Sequence, residues 1–457
     1  MSKRTRSSFG RRLRRTGVLC LALLTGGCAS YHALPLAKSA DLAPNLAALD
    51  LALPTAKIAP ARPLTIDQIG LLAVLNDPAL AAERGRLDVA KAALLQASVL
   101  PNPQLGFGFG ALISGPATLS SYTASLSEDV GAILTYRPRV AAARARVGSV
   151  NADLLWREWQ VAEQARLLAF DLHGLDAGIA ILRRQQHLLA REVAAVRAAT
   201  AAGSLDLRAE APLLAAKANA EQALAARELM ALRAWHRLDA LLGLAPSARF
   251  AIARPILAPP PADLAPLIAS LPERRPDLIA LRLGYKGADK TLRAAILAQF
   301  PALVLGGSGG RDTSNVVTAG PQITLALPFF DRNQGQIAAA RATRRLLRAQ
   351  YRDRLDAAAG AAESLAADER RLAADLTAAR QAKAQADALF RAARAAYGAG
   401  NLDQRTFADY ETTALARALN VVDLEQSLGR DRLTLAVALG LGLPKTRLVA
   451  GRKDKRP

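Results

Sequence analysis

The chain is poor in the residues that usually mark small secreted domains, metal sites and enzymes. Only two of its 457 residues are cysteine, Cys20 and Cys28, both within the first thirty positions, which excludes a disulfide framework in the rest of the chain. Aromatic residues make up 4%, while hydrophobic residues reach 51%, so alanine and leucine carry the apolar content. That balance excludes a core filled by bulky side chains and favours long, closely packed helices. The histidines His32, His173, His187 and His236 are scattered, without an HExxH pair or cysteine partners. No metal site, catalytic centre or cofactor is expected from them. The glycines of Leu105–Gly110 and Gly306–Gly310 are followed by no P-loop lysine, which removes a phosphate loop.

Acidic residues are also scarce, 39 against 60 basic ones, giving a net charge of +21. Seven of the basic residues, from Lys3 to Arg15, precede the apolar run Val18–Leu24 and the small residues Thr25, Gly26 and Gly27. That is the order of a secretory signal, residues 1–27, and the run is too short to span a membrane. The Thr25-Gly26-Gly27-Cys28 stretch resembles a bacterial lipoprotein box, with Cys28 as the acylated first residue and Ala29 fitting outer-membrane sorting. Six more basic residues sit in a tail, 444–457, opposed only by Asp454. What remains is spread along helices as solvated charge, so an exported protein of this kind is not expected to bind nucleic acid.

Residues 28–63 are rich in proline and alanine and read as a tether. Leu64 opens a helix, with Thr65 and Gln68 in capping-box spacing, that reaches about Leu100, with a kink or a new start at Pro78. Leu105, Phe107 and Phe109 alternate with three glycines as a strand, and a second strand follows from Tyr122 towards Leu134, completing a hairpin. A very long helix runs from Pro138 to about Ala202, roughly 100 Å at the standard rise. Gly203 and Ser204 turn the chain, and a return helix reaches Leu242. The stretch Pro321–Arg341 joins strand to helix directly: Gln322, Thr324 and Ala326 alternate with Ile323, Leu325 and Leu327, Pro328 stops the strand, and Asp331 is placed as N-cap with Gln334 three residues on. Asn333 and Gly335 belong to the same junction.

The pattern occurs twice. Arg275-Pro276-Asp277-Leu278 answers Asp77-Pro78-Ala79-Leu80, Gly400 answers Gly203, and Leu439-Gly440-Leu441 answers Leu242-Gly243-Leu244, at offsets of about 197 to 200. This defines repeats at 64–250 and 263–443, joined by a proline-rich linker at 251–262. Each repeat is helix, hairpin, very long helix, turn, helix. The fold expected is mostly α with a small transmembrane β part. Four strands cannot close a barrel, so several copies must each contribute, and three give about twelve strands continued by an α-helical barrel. The alternative on the same residues is a soluble periplasmic coiled-coil scaffold or adaptor without a pore.

With the segments RRPDLIALRLGYKGADKTLRAAILAQFPAL, LPFFDRNQGQIAAARA and AAYGAGNLDQRTFADY in this order, residues 64 to 443 resemble the TolC family of outer-membrane efflux proteins. The resemblance implies a homotrimeric, lipid-anchored channel in the outer membrane of a Gram-negative bacterium, with a large periplasmic portion. It implies a tripartite system completed by a periplasmic adaptor (membrane-fusion) protein and an inner-membrane transporter of the resistance-nodulation-division type. LPFFDRNQG looks like the heavy-metal branch and Arg275-Pro276-Asp277 like the drug-efflux branch, so the cargo stays open between the two. By resemblance, Asp403, Arg405, Thr406 and Asp409 are the candidate periplasmic gate, though Asp403 reads equally as an N-terminal helix charge. Gly203, Ser204, Gly400 and Asn401 are the adaptor-facing tips.

Overall fold

The computed structural model describes residues 31–51, 62–115, 119–204, 210–300 and 303–441. The signal, Cys28 and the basic tail lie outside the described residues, as do residues 205–209 just after the first turn. The leading unit, up to Leu42, carries no helix or strand among its described residues; the elements below belong to the unit beginning at Ala43.

Helix α1 (Ile66–Asn76) begins two residues later than the sequence suggests. Thr65 accepts from the Gln68 N–H and the Gln68 side chain answers the Thr65 N–H, the capping box read from the spacing. Leu64 instead forms a bridge with Ile252. Pro78 starts a new helix, α2 (Pro78–Ala97), because Asp77 ends α1 and caps α2 through the Ala79 and Leu80 N–H groups, with the ring at a position where no backbone donor is needed. After β1 (Gln104–Gly110) and β2 (Ser121–Asp129) comes α3 (Gly131–Ala201), 71 residues long. The second strand is shorter than expected, since Ile133 and Leu134 already belong to α3, and Pro138 lies inside that helix rather than opening it. The return helix α4 (Glu210–Leu242) holds Pro212 in its first turn.

Two short helices, α5 (Ala265–Ala269) and α6 (Leu271–Arg274), lead into α7 (Pro276–Leu297), β3 (Leu303–Arg311), β4 (Val317–Leu325), α8 (Gln334–Gly398) and α9 (Gln404–Ala438). The four strands form one antiparallel sheet in the order β1-β2-β3-β4, so both hairpins merge and β1 and β4 are its edges. Pro321 lies within β4, where an edge strand tolerates a missing donor. The register sorts the sheet into two faces. One carries Leu105, Phe107, Phe109, Tyr122, Leu126, Ile323 and Leu325. The other carries Gly106, Gly108, Ser125, Thr123, Ser308, Gln322 and Thr324. On the first face the large side chains are exposed, an arrangement costly in water.

Below the sheet the helices pack through small residues. Gly287 meets Ala142 and Ala145, and Gly148 meets Leu283, so α3 and α7 approach closely. Helices α3, α4, α8 and α9 form long pairs, with Leu172, Leu238 and Ala169 fully buried in the largest cluster. Arg227 of α4 is ion-paired with Asp423 of α9, which ties the return helices of the two halves together.

Near the middle of the molecule, Arg275 joins both halves. It pairs with Asp277 (2.8 Å), donates to the Ala438 carbonyl at the end of α9 (3.0 Å), and lies 4.6 Å over the Trp156 ring of α3. Arg354 of α8 adds a second cation to Asp277 at 3.3 Å. Removing one member of a buried pair leaves the other uncompensated. Arg275→Ala is expected to cost about 3 kcal/mol, read as a lower denaturant midpoint, whereas Arg354→Ala, on the exposed side, costs less than about 1 kcal/mol.

A second buried group responds to pH. Burial pushes the Glu163 carboxyl from 4.5 up to about 7, against the opposing pull of Arg166. Arg166 also reaches Asp67 of α1 at 2.8 Å. The folded chain therefore holds this proton between pH 4.5 and 7 while the unfolded chain releases it, so this group's contribution to stability falls as pH rises through that window. Glu163→Gln should flatten that part of the profile, measured by thermal unfolding across the same range.

Candidate functional site

The chain turns at two tips, and both are built by the same hydrogen bonds. After α3, Gly203 adopts φ +73°; its N–H donates to Thr200 O and that of Ser204 to Ala199 O. After α8, Gly400 adopts φ +75°, with Gly400 N–H to Tyr397 O and Asn401 N–H to Ala396 O. This is the Schellman ending, in which a left-handed residue lets two otherwise unpaired carbonyls be satisfied. Among the described residues, no side chain comes within 4 Å of where a Cβ would stand at either glycine. Both tips are open surfaces whose glycines are required by backbone conformation rather than by crowding.

The second tip is stiffened by aromatic rings, which sequence reading did not single out. Phe407 of α9 stacks on Tyr397 of α8 at 4.8 Å between centroids, with Phe390 at 5.7 Å on α8 as well. In a chain with few aromatics, three on the two helices that meet at Gly400 were the available signal. The next residue, Ala408, is buried with Leu415 and Leu188 of α3, which seats α9 against the first half. Gln404 donates to Glu192 of α3 at 3.1 Å on the same side.

The candidate gate residues separate into two roles. Asp403 is the N-cap of α9: one carboxylate oxygen accepts from the Thr406 N–H (2.9 Å) and the other from the Thr406 hydroxyl (2.6 Å). These bonds, the hydroxyl first, hold the Asp403 carboxyl below its usual value. Both acceptors are therefore committed to the helix end. Arg405 and Asp409, one turn apart, are exposed on the face opposite the packed residues, and among the described residues neither has an ion-pair partner. Among the described residues, no group of three or more His, Cys, Asp or Glu could hold a metal ion.

At the strand-to-helix junction Asp331 is not the N-cap. Helix α8 starts at Gln334 behind Asn333, which adopts φ +59°. Asp331 turns back to accept from the Asn333 N–H (2.8 Å), and Gln334 accepts from the Arg332 N–H (2.7 Å). The Asn333 side chain donates to Ala295 O in the last turns of α7 (2.8 Å), which fixes the two helices side by side. Asp331 is spent on a local turn because the chain must reverse between Pro328 and α8, and a left-handed asparagine does that. Gly335 is exposed in the first turn, with nothing near its missing Cβ.

Residues 267–441 match the family model of outer membrane efflux proteins. Solved structures extend the likeness over most of the chain. The outer membrane protein VceC of Vibrio cholerae is 21% identical, with TM-score 0.65, over 83% of this chain and 97% of that one. CusC, described in connection with transmembrane channel formation, is 18% identical with TM-score 0.67, over 82% and 92%. The open-state MtrE outer membrane channel of Neisseria gonorrhoeae is 17% identical with TM-score 0.62, over 83% and 89%. The fold is that of outer-membrane efflux channels. No curated protein sequence matches.

The different duties of Asp403 and Asp409 can be separated by mutation. Asp403→Ala removes a cap and is expected to destabilise the start of α9 by about 1 kcal/mol, seen as faster amide exchange after Gln404. Asp409→Ala leaves that exchange unchanged.

Proposed function

We propose that this chain is the outer-membrane exit duct of a tripartite efflux system, acting by passive conduction. The observation that carries this reading is the sheet, apolar on one face and glycine-, serine- and threonine-rich on the other, with edges at β1 and β4 and two very long helices beneath it. Three copies joined edge to edge make a twelve-stranded barrel, its apolar face to lipid and its polar face to water. At 1.5 Å per residue, α3 and α8 are each about 100 Å long, enough to carry the duct through much of the periplasm.

Within this reading the repeats at 64–250 and 263–443 build equal parts of the wall, and the linker 251–262 joins them. The tips at Gly203, Ser204, Gly400 and Asn401 meet a periplasmic adaptor, behind which stands an inner-membrane transporter of the resistance-nodulation-division type. Residues 1–27 direct export, Cys28 carries the lipid, 28–63 is the tether and 444–457 a basic tail. Arg405 and Asp409 ring the periplasmic opening. Asp409 of three copies makes an acidic constriction that favours cations and closes through Arg405. The cargo is a small solute, a heavy-metal cation or a drug. A duct of this kind performs no covalent chemistry.

The test is single-channel conductance of the purified mature protein in a planar bilayer, wild type beside Asp409→Ala. Discrete pores that lose cation preference in the variant support both duct and constriction. Pores indifferent to the substitution keep the duct and discard the constriction. Folded protein that is soluble without detergent and not trimeric moves the reading to a scaffold without a pore.

A further inference from the structure

Beneath the sheet, basic residues gather without acidic partners. Arg137 on α3, Lys286 and Lys290 on α7, and Arg341, Arg345 and Arg348 on α8 have no ion pair among the described residues. The three arginines of α8 follow spacings of four and three, which puts them in one row on the helix. Like charges at such spacing repel, so the row lacks an internal reason to exist. Elsewhere the same helix provides partners: Arg371 has Asp375, Arg380 has Glu425, and Lys383 has Asp387.

The side to which this row turns follows from the hand of the sheet. The Val130 N–H donates to Leu303 O (2.9 Å), so on the apolar face Leu126 and Gly307 are a hydrogen-bonded pair. For L-residues whose side chains face the viewer, the N–H and C=O of an ascending strand point right. Seen from the apolar face with the hairpin turns up, β4 is therefore leftmost and β1 rightmost. Helices α8, α7, α3 and α2 continue in that order below.

Helix α8 descends, and a right-handed helix receding from the turn end advances clockwise by about 100° per residue. Its packed residues, Ile337 and Ala340, turn right towards Leu292 and Ala295 of α7. One step on, Arg341, Arg345 and Arg348 turn to the side of the apolar sheet face. On α7, Lys286 and Lys290 lie away from both packed arcs, Gly287 against α3 and Leu292 against α8, and this is the same side. Arg137 on α3 reaches it by the same rule. By helix rise these charges stand roughly 10 to 20 Å below the strands. Between them and the sheet lies a shelf of exposed apolar residues at the strand-helix joints: Ile133, Leu134, Phe300, Leu327, Phe329 and Phe330.

An apolar shelf followed by unpaired cations, continuous with a lipid-facing sheet, is the profile of a surface that sits at a bilayer interface. We infer that this collar binds the headgroups of anionic phospholipid in the leaflet facing the periplasm, with Arg341, Arg345 and Arg348 as its main contacts. The inference rests on the channel reading, since it needs the sheet in the membrane. Its consequence is a fixed depth: the shelf stops at the apolar boundary and the arginines hold phosphates just beyond it.

The experiment reconstitutes the full-length mature protein in vesicles of phosphatidylethanolamine and phosphatidylglycerol, re-extracts it in mild detergent, and counts bound lipids by mass spectrometry. Wild type is expected to enrich phosphatidylglycerol about tenfold over the bulk ratio, and Arg341→Gln/Arg345→Gln/Arg348→Gln to bring the ratio close to bulk. Extraction in 1 M salt should reduce the wild-type enrichment as well. Detergent-stable oligomers that show no enrichment, or enrichment that survives the triple substitution, overturn the collar alone. A variant that changes the ion selectivity of the pore while keeping its lipids puts the arginines in the lumen and also overturns it. Absence of any detergent-stable oligomer overturns the channel reading and the collar together.

Discussion

Backbone hydrogen bonding at the two sheet edges is the constraint on which the rest of this architecture depends. Among the described residues β2 and β3 are paired on both sides, whereas β1 and β4 each offer one row of N–H and C=O groups with no strand beside it. In water such an edge invites aggregation, and in lipid each unpaired group costs several kcal/mol. A sheet that is also apolar on one face has no stable existence alone. In the duct proposed above, the edges close on further copies of the same chain, and closing them in a ring requires every copy to present its helices at the same angle. The small residues between α3 and α7, and the Asn333 bond to α7, meet that demand by holding the helices at fixed spacing directly below the strands.

Arginine takes over where bulky apolar side chains are missing. Guanidinium groups link the two halves: Arg275 of the second half lies over Trp156 of the first, Arg227 pairs with Asp423, and Arg430 pairs with Asp171. A planar cation with five donors can satisfy a carboxylate, a helix-end carbonyl and a ring face at once, which lysine cannot. In a chain built from alanine and leucine this supplies specificity that generic close packing lacks.

Much of this was legible in the sequence because the signals were local. The Thr65 capping box, the glycine-aromatic alternation of β1 and the turn glycines each express a short-range rule, and each element stands where its rule put it. Boundaries were less legible. Residues after Asp129 continue in a β-like apolar pattern but enter α3: the Val130 N–H takes the carbonyl of Leu303, the first residue of β3, and among the described residues no strand continues beyond it for them to pair with. Asp331 has the composition of an N-cap, yet the tight reversal before α8 claims its side chain first. The Phe407 stack left only the faint signal of three aromatics near Gly400, and the Arg275 centre and the hand of the arginine row left none, since they depend on residues more than a hundred positions apart or on the hand of the whole sheet.

The helix-ending glycines have a consequence for how such a chain can change in length. From Gly203 to Gly243 is forty residues, and from Gly400 to Gly440 is again forty, so the two return arms are equal. Adding one residue to a single arm lengthens it by about 1.5 Å and turns everything beyond by about 100°, carrying a packed alanine out to solvent and a charged neighbour into the seam. The two ends would then stand at different heights. Length variation in this architecture must therefore come in matched steps in both arms, each step close to a whole number of turns, which makes the duplicated wall far less tolerant of single insertions than of substitutions.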